Sequence, residues 1–313
     1  MYDRYGPPAV LRIEDVPVPS PGPGQVLVKI AATSINLSAW ECLRGTPMYA
    51  RVGGLRRPAR RILGSDIAGH VEAVGADVTQ FRPGDQVYGD NLDRMGGFAE
   101  YAVAAASVLS HKPATLTFAQ ASAIPQAGVI ALQGTAAVQP GQRVLINGAG
   151  GGSGSFAIQL AKRAGAYVVA VDNAGKLDFM RAVGADEVVD YRSQNFTRME
   201  AVDQVLDLVA HRSVFAYRRS LRPGGRYRCV GGSVPAMLRV ITAGAILGRL
   251  TGRSLGVLMV KMGPAHFEPM ADLCVAGDID VRIDRTYPLD EVPQALGHVG
   301  EGRALGKVVV HVA

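Results

Sequence analysis

Arg143-Val144-Leu145-Ile146-Asn147 runs into Gly148-Ala149-Gly150-Gly151-Gly152-Ser153-Gly154 and then into Ser155-Phe156-Ala157-Ile158-Gln159-Leu160-Ala161-Lys162. The first five residues read as a buried strand and the last eight as a helix. Gly148, Gly151 and Gly154 hold a G-x-x-G-x-x-G spacing between them. Glycine suits those positions because the chain turns tightly from strand to helix, phosphate approaches bare backbone, and the helix packs closely on the sheet. The helix start then presents unpaired N–H groups and a positive dipole end to a pyrophosphate, with the hydroxyl of Ser153 beside them.

A glycine run alone is often only a turn. Here a second strand follows and ends at Asp172, 18 residues past Gly154. That context marks a dinucleotide loop formed by Gly148, Gly150, Gly151, Gly152, Ser153 and Gly154. Asp172 at a strand end accepts ribose hydroxyls and repels a 2′-phosphate. Lys176 and Tyr191 are placed to approach that same phosphate, so NAD(H) and NADP(H) both stay open.

Outward from the loop the pattern is strand and helix in alternation. Strands are predicted at Arg143–Asn147, Tyr167–Asp172, 203–209 and 226–230, and helices at Gly152–Arg163, 176–183 and Val214–Ser220. Such alternation argues for βαβ units and a doubly wound parallel sheet. Val230, Gly231 and Gly232 follow a strand at its carboxyl end, where such a sheet meets its ligand. From 26 to about 103 short apolar runs alternate with punctuation such as Pro21-Gly22-Pro23-Gly24 and Arg82-Pro83-Gly84-Asp85, the texture of a compact β-rich domain. The last fifty residues return to a mixed pattern: helices near 266–275 and 290–299, then a closing strand 307–312. The chain therefore divides into 1–112 with 263–313, and 113–262.

Composition excludes several classes. With 313 residues and 48% hydrophobic content the chain furnishes real cores. The net charge of +6 needs no more than an anionic small molecule to explain it. The basic groups Arg51, Arg56, Arg57, Arg60, Arg61 and Arg218, Arg219, Arg222, Arg226, Arg228 lack interleaved aromatic platforms and read as solvated loops. Cys42, Cys229 and Cys274 are too far apart for a disulfide framework or a C-x-x-C metal site, which places the chain in a reducing, cytoplasmic setting. The N-terminus has no signal-peptide core. The apolar stretch 237–260 is interrupted by Arg239, Arg249 and Arg253, so no membrane span is expected; a substrate lid or a dimer surface is.

Taken in order, several segments resemble the zinc-free quinone oxidoreductase branch of the medium-chain dehydrogenase/reductase superfamily. They are Tyr5-Gly6-Pro7-Pro8, Pro21-Gly22-Pro23-Gly24-Gln25-Val26, Leu63-Gly64-Ser65-Asp66-Ile67-Ala68-Gly69, Phe81-Arg82-Pro83-Gly84-Asp85-Gln86-Val87, Gly96-Gly97-Phe98-Ala99-Glu100-Tyr101, the glycine loop, Val183-Gly184-Ala185-Asp186, Leu221-Arg222-Pro223-Gly224-Gly225 and Gly306-Lys307-Val308-Val309. The resemblance implies an α/β chain with a GroES-like β-barrel domain and a Rossmann domain, the nicotinamide lying in the cleft between them. It implies hydride transfer to a quinone, an enone or a related conjugated carbonyl, usually from NADPH, with Lys176 and Tyr191 on the 2′-phosphate. Homodimers are usual among such proteins.

The metal-dependent relatives carry a Gly-His-Glu ligand triplet and a four-cysteine lobe. This chain has Gly64-Ser65-Asp66 instead and no cysteine cluster, so no zinc is expected. The branch commonly has Asn-Pro-x-Asp-Trp where this chain has Asn36-Leu37-Ser38-Ala39-Trp40, a change in the wall beside the nicotinamide. Without a metal the rate must come from positioning, exclusion of water and donors to the oxygen that gains charge. The candidate donors are Asn36, Tyr49 and Lys261, Asn36 reading equally as a loop-satisfying residue. Asp66 reads as a structural turn residue, and Lys307 as a cofactor-phosphate contact or a solvated edge lysine. A dedicated ene- or ketone-reductase of a biosynthetic pathway is the nearest alternative. A cofactor-dependent nucleic-acid-binding protein is a more distant one.

Overall fold

The computed structural model describes residues 1–51 and 54–312. In chain order the elements are β1 (Gln25–Ile35), α1 (Leu37–Arg44), β2 (Asp66–Val74), β3 (Gln86–Asp90), β4 (Tyr101–Ala105), β5 (Leu109–His111), α2 (Phe118–Ala123) and α3 (Pro125–Thr135). There follow β6 (Arg143–Asn147), α4 (Gly152–Arg163), β7 (Tyr167–Asp172), α5 (Leu177–Val183), β8 (Glu187–Asp190), β9 (Val202–Asp207), α6 (Val214–Ser220) and β10 (Leu221–Cys229). The chain closes through α7 (Val234–Arg239), a π-helical turn (Val240–Gly244), α8 (Ala245–Thr251), β11 (Ser254–Val257), α9 (Pro264–Val275), β12 (Ile283–Pro288), α10 (Val292–Gly300) and β13 (Lys307–His311).

Two compact units result, Met1–Val129 with Lys261–Ala313, and Ile130–Val260. The first break falls beyond the 112/113 expected from composition. Helix α2 belongs with the first unit because Phe118, Ala119 and Ala123 pack on Ala32 of β1 and Val309 of β13.

In the first unit a seven-stranded sheet runs β12-β13-β1-β2-β3-β5, with β4 paired to β1. Strand β13 lies between β12 and β1, and four of its five residues are buried. Register puts Ser34 opposite both Asp66 and Val309, and Asp66 opposite Asp90. Residues directly opposite in a ladder share a face, so Ser34, Asp66 and Asp90 form a polar row across β1, β2 and β3. Lys307, two residues before Val309, joins that face from β13.

The second unit holds a parallel six-stranded sheet in the order β11-β10-β9-β6-β7-β8. Counted from β6 this is the 3-2-1-4-5-6 order of a Rossmann sheet, with its topological switch between β6 and β9. The strands read as near-continuous apolar runs because both faces are covered. Val169, Val171, Val205, Tyr217, Tyr227 and Cys229 make up much of one core face.

Arg239 and Arg249 lie inside a continuous helix, and Arg253 follows it. Val234–Thr251 is one helix, long and apolar enough by length and composition to cross a membrane. It is also the crossover between the parallel strands β10 and β11. Arg239 and Arg249 lie on its exposed side together with Leu238, Ile241, Ile246 and Leu250. A charged residue on the outward face of a helix is compatible with its continuing, so Arg239 and Arg249 sit within it.

Candidate functional site

In the second unit the glycine loop sits at the carboxyl end of β6. The N–H groups of Gly148 and Ala149 both donate to the Val171 carbonyl, at 2.9 and 3.1 Å, which pins the loop to β7. Gly148 has φ +83°, a conformation that excludes most side chains. Gly154 is required for space: a Cβ there would lie 2.4 Å from the carbonyl oxygens of both Gly148 and Ala149. The first bond of the α4 ladder runs from the Ser155 N–H to the Gly151 carbonyl at 2.9 Å. The N–H groups of Gly152, Ser153 and Gly154 therefore stand ahead of the ladder, at the positive end of a twelve-residue helix. This arrangement fits a pyrophosphate.

Asp172 is 8% exposed and Lys176 5%. One Asp172 oxygen accepts from the Gly150 N–H at 3.0 Å and lies 3.5 Å from Lys176 Nζ. The other accepts from the backbone and side-chain amides of Asn173, at 2.8 and 3.1 Å. Asp172 is thus tied into the loop and paired with a cation. The Tyr191 N–H donates to the Asp172 carbonyl at 3.1 Å, bringing that tyrosine, 38% exposed, to the same strand end. Gly231 and Gly232 have φ of +71° and +102° and follow Val230, whose N–H donates to the Asp207 carbonyl at 2.9 Å. The fully buried Asp207 was not singled out from sequence. It accepts from Asn147 at 2.8 Å, Tyr227 at 2.9 Å and the Ala210 N–H at 2.9 Å, joining the ends of β6, β9 and β10.

In the first unit Asn36, Tyr49 and Lys307 all have partners within the chain. Asn36 Nδ2 donates to Ser65 Oγ at 3.1 Å and Asp66 Oδ2 at 2.8 Å, and its Oδ1 accepts from Lys307 Nζ at 2.7 Å. Both amide protons are committed, so Asn36 is no free donor to a substrate oxygen. It occupies the N-cap of α1 without a side-chain cap bond, because its side chain turns into this network. Tyr49 donates to Glu41, 3.1 Å from either carboxylate oxygen, so its proton is committed as well. Burial and the neighbouring Glu41 carboxylate hold the Tyr49 phenol above its ordinary value. Lys307 is 2% exposed and lies 3.6 Å from Asp66 Oδ2. It is no solvated edge lysine, since β13 is an interior strand, and its ammonium is held by Asn36 and Asp66. Lys261, the third expected donor, is exposed.

Asp66 is fully buried and accepts further bonds from Ser34 Oγ at 3.1 Å and from the Gln126 N–H, in the first turn of α3, at 3.2 Å. Burial raises its carboxyl, while Lys307, Asn36, Ser34 and Gln126 act in the opposite direction. Burial also lowers Lys307, against the pull of Asp66. Asp66, read as a turn residue, is the hub of the first unit's polar network.

Residues 22–114 match the alcohol dehydrogenase GroES-like domain family, and residues 183–310 match the zinc-binding dehydrogenase family. The chain is 30% identical to the chloroplastic quinone-oxidoreductase QR1 of Triphysaria versicolor, covering 99% of this chain and 96% of that one. It is 32% identical to the 2-methylene-furan-3-one reductase of Solanum lycopersicum, over 99% and 78% of the two chains. The solved structure of the quinone oxidoreductase from Coxiella burnetii superposes with a TM-score of 0.89 at 29% identity, covering 100% and 98%. A GroES-like domain and a Rossmann domain together define a medium-chain dehydrogenase/reductase. Within that superfamily the chain belongs to the quinone oxidoreductase branch, and it is an NAD(P)H-dependent oxidoreductase.

The description of one matched family names zinc, and the residues around Asp66 do not fit that metal. Ser65 and the carboxyl groups of Asp66 and Asp90 are the nearby oxygen donors, with neither imidazole nor thiolate among them, and a lysine ammonium already stands 3.6 Å from the Asp66 carboxylate. Among the described residues no three His, Cys, Asp or Glu side chains are grouped to hold an ion.

Proposed function

We propose that the protein reduces quinones, enones or related conjugated carbonyls without zinc, drawing on NADPH in preference to NADH. The observation that carries the zinc-free reading is the buried Lys307 ammonium beside Asp66, in the segment where metal-dependent relatives keep their ligands. A cation fixed there by Asn36 and Asp66 leaves no coordination sphere to complete. The names of the quinone and furanone reductases among the relatives support the acceptor class.

When bound, the dinucleotide supplies hydride from its nicotinamide. Gly152, Ser153 and Gly154 would hold its pyrophosphate, and Gly231 and Gly232 offer it bare backbone at the end of β10. With Asn36 and Tyr49 both committed, this chain's contribution is to bind, to orient and to exclude water. Such positioning supplies up to about 7–11 kcal/mol of a barrier. Solvent or a ribose hydroxyl is left to provide the proton.

The preference for NADPH rests on the Asp172–Lys176 pair. An unpaired acid at that strand end would repel a 2′-phosphate; here its charge is offset by Lys176 and its lone pairs are spent on Gly150 and Asn173. Titrating NADH and NADPH separately tests this. Lys176→Met should weaken NADPH by roughly 10- to 100-fold, the worth of a charge-assisted hydrogen bond, and leave NADH within a few-fold. Asp172→Ala should weaken both cofactors, because it releases Gly150. A rise in NADPH affinity in Asp172→Ala would show that the acid opposes the phosphate after all.

A further inference from the structure

Asp90 ends β3 directly opposite Asp66 on β2 and is 5% exposed. Opposed residues of an antiparallel pair have Cα atoms about 4.5–5.5 Å apart, so two carboxyl groups share one buried face. The charged groups facing Asp90 are Asp66 from β2 and Lys307 from β13. Gln126 of α3 and the Leu92 backbone lie near enough to favour its ionised form. Among the described residues, however, neither Asp90 oxygen has a partner of ordinary hydrogen-bond geometry. Two carboxylates and one ammonium leave a buried net charge of one unit, which a low-dielectric interior resists. One bound proton removes it. Asp66 has four groups that favour its charge, so the proton belongs on Asp90.

We propose that Asp90 is a positioning residue: by holding a proton it lets Asp66 alone carry the charge that fixes Lys307 and Asn36, and with them the start of α1 and the substrate wall. The assignment of that wall rests on the proposed carbonyl-reducing function; the proton on Asp90 does not. Burial, then repulsion from Asp66, raises the Asp90 carboxyl to about 8. Above that pH a second buried carboxylate competes with Asp66 for Lys307, and Asn36 loses its place. The consequence reaches α1, whose N-cap is Asn36 and whose fourth residue is Trp40. Trp40 is the only tryptophan in the chain and packs against Gly300 of α10.

Trp40 emission titrated from pH 6 to pH 9.5, in the full chain without substrate, reads the network directly. The wild type should show a transition with a midpoint near pH 8, and Asp90→Asn, which keeps the shape and cannot ionise, should show none. Thermal unfolding of the same two proteins gives a second reading. A carboxyl raised in the folded state contributes stability below its unfolded value that is lost as pH rises through its folded one. The midpoint of Asp90→Asn should therefore exceed that of the wild type by a margin that widens from pH 5 to pH 8. In turnover with a simple quinone, the wild-type kcat/KM should fall above pH 8 and that of Asp90→Asn should stay level. A transition that survives in Asp90→Asn, or a margin that does not change with pH, overturns the proposal. Absence of turnover with any acceptor, alongside the expected emission change, would count against the proposed substrate class alone.

Discussion

Gly154→Ala is expected to lose nicotinamide dinucleotide binding by about 100-fold, the cost of misplacing a binding group by about an ångström. The added methyl would stand 2.4 Å from two carbonyl oxygens, so the first turn of α4 must lift away from the loop. Backbone cannot move aside as a flexible side chain does, and overpacking of this kind also costs about 1–3 kcal/mol of stability. Gly151→Ala is the matched comparison. A Cβ at Gly151 comes no nearer than 3.5 Å to the Gly148 carbonyl, so the unliganded protein should unfold at the wild-type midpoint. Fluorescence titration with NADPH and thermal unfolding of both variants measure the contrast. Near-normal affinity in Gly154→Ala would mean that the loop tolerates displacement and is not the pyrophosphate cradle.

Lys307→Met should destabilise the first unit by about 3–5 kcal/mol at pH 8, the usual result of removing one partner of a buried ion pair. Methionine keeps the length of the stem and lacks the ammonium, so Asp66 and Asn36 lose the charge they share. The deficit should shrink in acid. Without Lys307 the Asp66 carboxyl rises further above its unfolded value, near 3.9. Stability linked to such a group is present below the unfolded value and lost as pH rises through the folded one. Urea unfolding at pH 5.5 and pH 8, followed by Trp40 emission, separates the two conditions, and equal midpoints for variant and wild type at both would remove Lys307 from the network.

The dinucleotide loop was legible because its chemistry is local. Strand, glycines and helix are contiguous, and the acid at Asp172 follows at the distance a βαβ unit requires. The parallel sheet of the second unit follows from the same alternation, while its strand order does not. What stayed hidden is contact across long separations: Lys307 and Asn36 are 271 residues apart, and only the position of β13 between β12 and β1 brings them together. Residue type leaves Asn36 open as a donor or a loop-satisfying residue and offers Tyr49 as a donor; their partners, Asp66, Lys307 and Glu41, decide what each has left to give. Asp90 carried no sequence signal, since a single acid after an apolar strand is ordinary. Its meaning comes from the register that sets it opposite Asp66. The continuity of helix Val234–Thr251 is hidden in sequence because its arginines interrupt the apolar run and yet share the outward face in space.

The proposed reaction is reduction of conjugated carbonyls by a nicotinamide cofactor with no metal. Its most direct test is oxidation of NADPH in the presence of a quinone and enone panel, by protein dialysed against a zinc chelator and by the same protein with zinc restored. Turnover of at least one acceptor is expected at the same rate in both preparations. Activity that vanishes on chelation and returns with zinc would contradict it, as would tight NADPH binding with no turnover of any acceptor.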